Sequence, residues 1–273
     1  QSTDQTVLKA SSRENITSDA YKKLIDFGNS SNATKTYTDL MVALPGDTKH
    51  KHYASLKWSI DNDVRSIRMH QSIMLIGTDM ASKETRKKYD LKTKFRTVPG
   101  AVGNYEILGK KHPIAEIEEI IIGSNTLSES DYIECRVMDL FIQTFYNNYL
   151  FEEVFALLKS IGISTFDSIA YIKNHPELYS EGIKEIIKEF VSATIDDLYI
   201  TLEDAQESVL DPNIINKYIK GELGYNELLS NTEKLFSKFS DSRDLMFKAT
   251  YGTIKEKGLL TDNIVNYLID LEK

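Results

Sequence analysis

The sequence predicts an α/β part followed by an all-α part. Three observations lead to this fold class. Short apolar segments rich in strand-forming residues occur in the first third of the chain, a helical stretch separates the two best of them, and apolar residues recur at helical spacing from about residue 128 onward. We therefore place a domain boundary near residue 125, which divides the chain into residues 1–125 and 126–273.

The composition excludes several classes of protein. Of the 273 residues 41% are hydrophobic, which is enough for a core and excludes disorder as the main state. Five prolines and 13 glycines are too few for a collagen-like chain or a turn-rich β-sandwich. A single cysteine, Cys135, excludes an internal disulfide framework, and no run is apolar enough to cross a bilayer. We therefore expect a cytoplasmic protein.

The net charge of the chain and its first three residues indicate which partners to expect. A net charge of −8 gives no general attraction to nucleic-acid phosphates or to anionic lipid, so we expect small-molecule or protein partners and neither nucleic acid nor a membrane. The sequence starts at Gln1-Ser2-Thr3 with neither an initiator methionine nor a signal-like segment. We therefore expect it to be a piece of a longer polypeptide.

The first third alternates helical and strand patterns. Residues 18–28 predict a helix capped by Thr17 or Ser18, and residues 36–44 predict a buried strand that stops at the turn 45–48. Apolar or aromatic residues one turn apart then predict a helix, and residues 66–75 predict a second strand. The residues one turn apart are His52, Leu56, Ile60 and Val64.

A helix that connects two neighbouring strands makes them parallel. Parallel sheets need more than two strands, so the predicted sheet is incomplete. Either further strands come from a segment before residue 1 or from another subunit, or the two strands keep exposed edges through which the chain can self-associate.

Residues 79–127 are less regular. Residues 81–89 predict a charged helix, 104–108 a short strand, and 113–122 a helix opened by Pro113. After residue 128 every pattern is helical, and Ser128 with Asp131 resembles a capping box. Helices are expected near 133–149, 151–160, 166–174, 183–198, 203–220, 225–238, 242–257 and 261–272.

The turn after the first strand is the first candidate site. Ligands bind at the carboxyl ends of parallel strands, and Asp47 and Thr48 lie there. A simpler interpretation is that Pro45 and Gly46 form the turn and that Asp47 or Thr48 caps the next helix.

The second strand gives a sharper signal. Its alternation places Arg68, His70 and Ser72 on one face and mostly apolar residues on the other. If the polar face lines an interior, these side chains point into a pocket; if it is solvated, they are a wet surface. The Gly77-Thr78 turn that follows exposes backbone at the same end of the sheet.

The other residues with reactive or metal-ligating side chains are not expected to form a site. Cys135 has no histidine at metal or dyad spacing and is expected to be a packing or surface residue, and the rings of His50 and His52 diverge on a helix. Two acidic groups are expected to be solvated helical faces, namely Glu116, Glu118 and Glu119, and Asp196 with Asp197. We expect no metal site, and the dinucleotide, phosphate-loop and serine-hydrolase motifs are absent.

Several short motifs occur in a characteristic order. They are Gln1-Ser2, Leu8, Arg13-Glu14-Asn15, residues 39–48 with Leu44-Pro45-Gly46-Asp47-Thr48, residues 67–71 and Leu75-Ile76-Gly77-Thr78. This order resembles the second half of a radical S-adenosylmethionine barrel, above all in the enzymes whose barrel follows a cobalamin-binding domain. The resemblance covers about residues 1–125. It implies the trailing strand-helix units of a partial parallel (β/α) barrel, followed by a C-terminal helical domain.

The resemblance also implies a chemistry and a set of site residues. The intact protein would use S-adenosylmethionine and a [4Fe-4S] cluster, with cobalamin as a further candidate cofactor. The implied contacts to S-adenosylmethionine are Gln1, Ser2, Arg13, Met41, Ala43, Pro45, Leu75, Ile76 and Gly77, and the implied substrate pocket contains Arg68, His70 and Ser72.

Two departures from the family pattern matter. Ala43 and Asp47 stand where the family usually has Gly and Glu, and the CxxxCxxC loop that binds the cluster is absent. A chain that starts near the end of the fourth strand lacks that loop, so we expect the missing N-terminal half of the same polypeptide to be its partner and the 273 residues alone to be inactive. The rival interpretation is a non-catalytic helical interaction module attached to an α/β remnant.

Overall fold

The computed structural model describes residues 1–30, 35–196 and 198–273, and it is a mixed α/β structure that is mostly helical. The elements are α1 (Gln5–Ala10), α2 (Ser18–Asn29), β1 (Tyr37–Val42), α3 (Lys49–Asp61), β2 (Ser66–Gln71), α4 (Lys83–Tyr89), β3 (Lys92–Ile107), β4 (Lys110–Gly123), α5 (Glu129–Phe141), α6 (Glu152–Ser160), α7 (Thr165–Asn174), α8 (Glu181–Asp196), α9 (Leu202–Ser208), α10 (Pro212–Ile219), α11 (Glu227–Ser237), α12 (Phe239–Glu256) and α13 (Asp262–Glu272).

The two predicted strands form a parallel pair. β1 and β2 pair in register from Tyr37 opposite Ser66 to Val42 opposite Gln71, which confirms the predicted strand, helix, strand unit. β1 ends before the predicted residue 44 because Ala43 adopts a left-handed conformation with φ of 64°. On the far side of β1, the Met41 N–H donates to the Gln1 carbonyl at 2.8 Å, so the first residue lies beside this strand.

The predicted helix over residues 113–122 is wrong. These residues belong to β4, which pairs antiparallel with β3 in a long hairpin, and the predicted strand near 104–108 is the outer part of β3. The hairpin closes through Leu108 and Gly109, whose φ angles of 51° and 75° suit the two-residue turns that match strand twist. Because 116–119 lie on a strand, the glutamates there alternate between faces instead of forming one solvated helical face.

The hairpin is joined to the parallel pair through β4, which pairs with the residues that directly follow β2. β2 ends at Gln71, earlier than predicted, and the next residues pair with β4: the Ile121 N–H donates to the Ser72 carbonyl at 2.9 Å and the Met74 N–H to the Glu119 carbonyl at 2.8 Å. An antiparallel bridge joins Ile73 to Ile120. The base of the hairpin is therefore fixed at the carboxyl end of β2.

The capping residues identified in the sequence start their helices. Thr17, Thr48 and Ser128 each accept a backbone N–H with the side-chain oxygen, which satisfies one of the open donors of the first turn. The simpler interpretation of Thr48 as a helix cap is thus confirmed, with Asp47 buried behind it.

The residues after 128 are helical, as predicted. Among the described residues of this part the one β contact is an isolated bridge between Tyr199 and Phe95. The single helix expected over 203–220 is two, α9 and α10, because Pro212 cannot continue a helix and instead occupies the first turn of α10. α5 ends in a π-helical turn over Ile142–Tyr146.

The main core is built by both halves of the sequence. Leu56 on α3 and Ile67 on β2 belong to the same buried cluster as Phe141, Ile169 and Phe190 from the helical part. The division into residues 1–125 and 126–273 stays a prediction.

No single helix among the described residues has the length and apolar character to cross a membrane. The pair α6 and α7 meets those criteria only when taken together, across a bend of 110°.

Candidate functional site

A cavity of about 770 Å³ opens at the carboxyl ends of β1 and β2. One wall is the sheet face that carries Asp39 and Met41 on β1 and His70 on β2; the opposite face of the sheet is packed against the core. β3 contributes Arg96, α5 contributes Arg136, and the start of α11 closes the cavity. The residues at that start are Asn226, Glu227 and Leu228.

Part of the predicted site lines this cavity. Gln1, Arg13, Met41, Leu75 and His70 are brought together here although they are far apart in the sequence. The guanidinium of Arg13 is exposed and forms no ion pair with the described residues, so it is free to bind an anion.

The structure places other predicted residues away from the cavity lining. Ala43 packs in an apolar cluster with Met74 and Ile120, and Pro45 belongs to the buried turn before α3. Ser2 is buried beside Ser55, with their hydroxyl oxygens 3.5 Å apart.

The three predicted substrate-pocket residues separate. Ser72 is buried and donates to the Val42 carbonyl at 2.7 Å, which ties β2 to β1. The Arg68 guanidinium lies 4.1 Å from the ring centroid of Tyr37. His70 is half-exposed and its Nε2 lies 3.1 Å from Oδ1 of Asp39, so of the three it is the one that reaches the cavity.

The turn after β2 presents backbone to solvent. Ile76 is fully exposed and Gly77 has a φ of 84°, a conformation that glycine adopts without strain. The carbonyl of Leu75 accepts from Thr78, whereas the N–H groups of Ile76 and Gly77 make no hydrogen bond with the described residues. These two donors remain open to a ligand, but neither Ile76 nor Gly77 is among the residues that line the cavity.

Sequence reasoning missed a charged cluster at the helical end of the cavity. Nη2 of Arg136 lies 2.9 Å from Oε1 of Glu227, and Nη1 of Arg96 lies 3.7 Å from the same oxygen. The three residues come from α5, α11 and β3, so no local spacing in the sequence connects them. A basic residue in an otherwise apolar helical stripe, as Arg136 is, was the one available signal.

Two further carboxylates hold the arginines in place. Nε of Arg96 donates to Glu118 at 2.6 Å, and Nη1 of Arg136 donates to Asp139 at 3.3 Å. Glu118 was expected to be solvated, but its side chain is only 11% exposed because this ion pair holds it against the hairpin.

The metal-ligating residue types do not converge. No group of three or more His, Cys, Asp or Glu among the described residues is arranged to hold a metal ion. Burial raises the pKa of the Cys135 thiol, which disfavours the thiolate that metals bind. The residues of this chain therefore do not fit an iron–sulfur cluster. Asp197, predicted as part of an acidic group, lies outside the described residues.

No protein-family model and no curated protein sequence matches this chain.

Proposed function

We propose that this chain forms the S-adenosylmethionine-binding and substrate-binding side of a radical S-adenosylmethionine enzyme. The observation that carries the proposal is the cavity at the carboxyl edge of the parallel pair, where Gln1, Arg13, Met41 and Leu75 meet. These are four of the residues that the family resemblance assigns to the cofactor, and ligands bind at this edge in parallel α/β folds.

The lining suits the chemical groups of S-adenosylmethionine. Met41 and Leu75 line the cavity and offer apolar surface to an adenine ring. Ile76 and Gly77 lie outside the lining, in the turn that directly follows Leu75, and their open N–H groups suit the ring nitrogens of an adenine whose edge reaches that turn. Arg13 carries a free guanidinium, which binds a carboxylate through paired hydrogen bonds. The resemblance also implies that Ala43 contacts S-adenosylmethionine. Because Ala43 is buried, it would act indirectly, through the backbone conformation at the end of β1.

The described residues do not provide the thiolates of an iron–sulfur cluster. Cys135 is buried and unsuited to a thiolate role, so we assign cluster binding to a part of the protein outside the 273 residues and derive no step through it. On this proposal the residues described here bind and orient the two small molecules.

The test measures binding of S-adenosylmethionine to the 273-residue chain. Saturation-transfer NMR is the readout, because it detects weak complexes. We expect contacts to the adenine protons in the parent and their loss in Met41→Trp, because overpacking a site costs on the order of 1–3 kcal/mol. Leu24→Trp is the matched control, since Leu24 is exposed on α2 and lies outside the cavity lining. Absence of adenine contacts in the parent, or equal contacts in both variants, would overturn the proposal.

A second candidate is the non-catalytic interaction module. It is favoured by the outer half of the β3–β4 hairpin, where Tyr105, Ile107, Leu108 and Ile114 are 45–99% exposed. Sedimentation velocity over a range of concentrations tests whether this surface mediates self-association. Leu108→Asp should abolish any dimer formed there, and a monomer at all concentrations would remove this candidate in its self-associating form.

A further inference from the structure

Two arginines at the helical end of the cavity have more hydrogen-bonding capacity than the chain uses. Arg96 and Arg136 make three hydrogen bonds to described residues, one to Glu118, one to Asp139 and one to Glu227. A guanidinium has five N–H donors, so most of their donors have no protein acceptor.

One of these open donors is deeply buried. Arg136 is 3% exposed, lines the cavity, and its Nε has no hydrogen-bond partner among the described residues. A buried donor without an acceptor costs free energy, and native proteins rarely leave one unless a ligand or water satisfies it. The hydroxyl oxygen of Thr97, next to Arg96, is also buried without a partner, and Thr97 lines an adjoining cavity of about 160 Å³ that shares Arg96 and Glu227.

The charges on the cavity wall favour an anion. Glu118 and Asp139 pair with the arginines but do not line the cavity, so at its helical end the lining presents two guanidiniums and the one carboxylate of Glu227. The rest of the lining carries two carboxylates, Asp39, which is paired with His70, and Asp79, together with the guanidinium of Arg13. Glu227 shows what this place accommodates, because both guanidiniums converge on one of its carboxylate oxygens.

We propose that Arg96 and Arg136 bind the carboxylate of a small-molecule substrate whose apolar body packs against Ile73 and Leu228. A planar guanidinium pairs with a carboxylate through parallel hydrogen bonds, and a partly buried site strengthens those bonds. The apolar residues line the same cavity, which is large enough for a ligand of drug-like size. This inference rests on the proposed function in that it names the substrate class for the same cavity.

The experiment compares phenylacetate with phenylacetamide, which have the same shape and differ in charge. Calorimetric titration of the 273-residue chain should show phenylacetate binding about tenfold more tightly or better, the ratio expected for charge-assisted hydrogen bonds to a buried cation. Equal affinities, or no binding of either probe, would overturn the inference.

Two variants are expected to change the affinity for phenylacetate in opposite directions. A folding defect cannot explain an increase in affinity, so the pair separates loss of the site from loss of the fold. Arg136→Met should lose the preference for phenylacetate, but it leaves Asp139 and Glu227 without their shared cation and can unfold the chain. Glu227→Gln keeps the shape and removes the competing negative charge, so phenylacetate should bind several-fold more tightly while phenylacetamide is unchanged. Weaker or unchanged phenylacetate binding in Glu227→Gln would contradict the inference.

The matched control is Arg86→Met. Arg86 also forms an ion pair with a β4 glutamate, Glu119, but lies outside the cavity, so the preference for phenylacetate should persist. The outcome is separable from the S-adenosylmethionine test, which depends on Met41. Carboxylate binding without adenine contacts would leave this inference standing and remove the proposed function; adenine contacts without a carboxylate preference would do the reverse.

Discussion

Nε2 of His52 lies 3.0 Å from Oδ1 of Asp139, and neither side chain is more than 2% exposed. The pair joins α3 in the α/β part to α5 in the helical part. Burial acts to lower the pKa of His52, but the charge and hydrogen bond of Asp139 outweigh it, so the pKa of His52 is raised. Asp139 also accepts from Arg136, which places the pair behind the wall of the cavity.

The raised pKa of His52 predicts how stability varies with pH. A group whose pKa is higher in the folded chain contributes stability that is fully present below its unfolded pKa of about 6.5 and is lost as pH rises through the folded value. His52→Gln should therefore cost about 3 kcal/mol or more at pH 6, as loss of one partner of a buried pair does, and less at pH 9. Urea unfolding at both pH values measures this, and a cost independent of pH would contradict it.

We predict that replacing Asp47 by a neutral residue stabilises the fold. Burial raises the pKa of Asp47 from 3.8 to about 6, partly offset by His52 and by the N–H of Thr48, which donates to Oδ1 at 2.8 Å. Because the folded pKa is higher than the unfolded one, ionisation of Asp47 costs stability as pH rises from about 4 through about 6.

Asp47→Asn removes this cost and keeps an acceptor for Thr48. The variant should be more stable than the parent at pH 7.5, by up to about 3 kcal/mol, and equal to it at pH 4. Asp63→Asn, at an exposed carboxylate, is the control and should show no such gain. Equal stability of Asp47→Asn and parent at pH 7.5 would mean that burial does not raise the pKa of Asp47 and that its ionisation does not destabilise the fold.

Cys135 should be chemically silent in the folded chain. It is fully buried, and burial raises the pKa of its thiol, so little thiolate forms at neutral pH. A disulfide reagent should label it no faster than the protein opens and at the normal rate in urea. Rapid labelling under native conditions would show that α5 is not packed as described.

Iron binding tests the proposal that cluster binding belongs to a part of the protein outside the 273 residues. One buried cysteine cannot replace the several thiolates of an iron–sulfur cluster. Anaerobic reconstitution of the 273-residue chain with iron and sulfide should give far less than stoichiometric iron and no visible absorption band. A stoichiometric cluster would refute the assignment of cluster binding to another part of the protein.

The parallel unit was readable from the sequence because each of its signals is local. The run 36–44 ends at Pro45, and the alternation in 66–71 separates buried Ile67 and Met69 from exposed Arg68 and His70. Side-chain alternation and a breaker act over a few residues, so no tertiary information is needed. The register of β1 and β2 follows once the connecting helix makes them parallel.

The hairpin was missed because two patterns overlap in residues 113–122. Isoleucines at 114, 117, 120 and 121 have helical spacing, and Pro113 suits a helix start. The signals for a strand were the β-branched run Ile120–Ile122 and the Leu108-Gly109 turn. Pairing with β3 stabilises the strand over the helix. The cluster of Arg96, Arg136 and Glu227 was missed for a different reason, since only the packing of α5 and α11 on the hairpin brings the three together.

Glu119 should stabilise the base of this hairpin. Its carboxylate forms two hydrogen bonds with the Arg86 guanidinium, at 2.6 and 2.7 Å, and accepts from Thr93 at 2.5 Å. The hydrogen bonds from Arg86 outweigh burial and hold the pKa of Glu119 below its usual value. The stability it contributes is therefore present above pH of about 4.3 and is lost as pH falls through the folded value.

Glu119→Gln should lower the free energy of unfolding by about 1–2 kcal/mol at pH 7, a value reduced because Arg86 is partly exposed. The difference from the parent should shrink below pH 4, where the parent carboxylate is protonated as well. Glu116→Gln is the matched control on the same strand, because Glu116 is exposed and forms no ion pair with the described residues, and it should change stability by less than about 0.5 kcal/mol. Equal effects of the two substitutions at pH 7 would mean that the contact between Arg86 and Glu119 does not hold α4 to the hairpin, and that the carboxyl end of β2 is fixed by its backbone pairing alone.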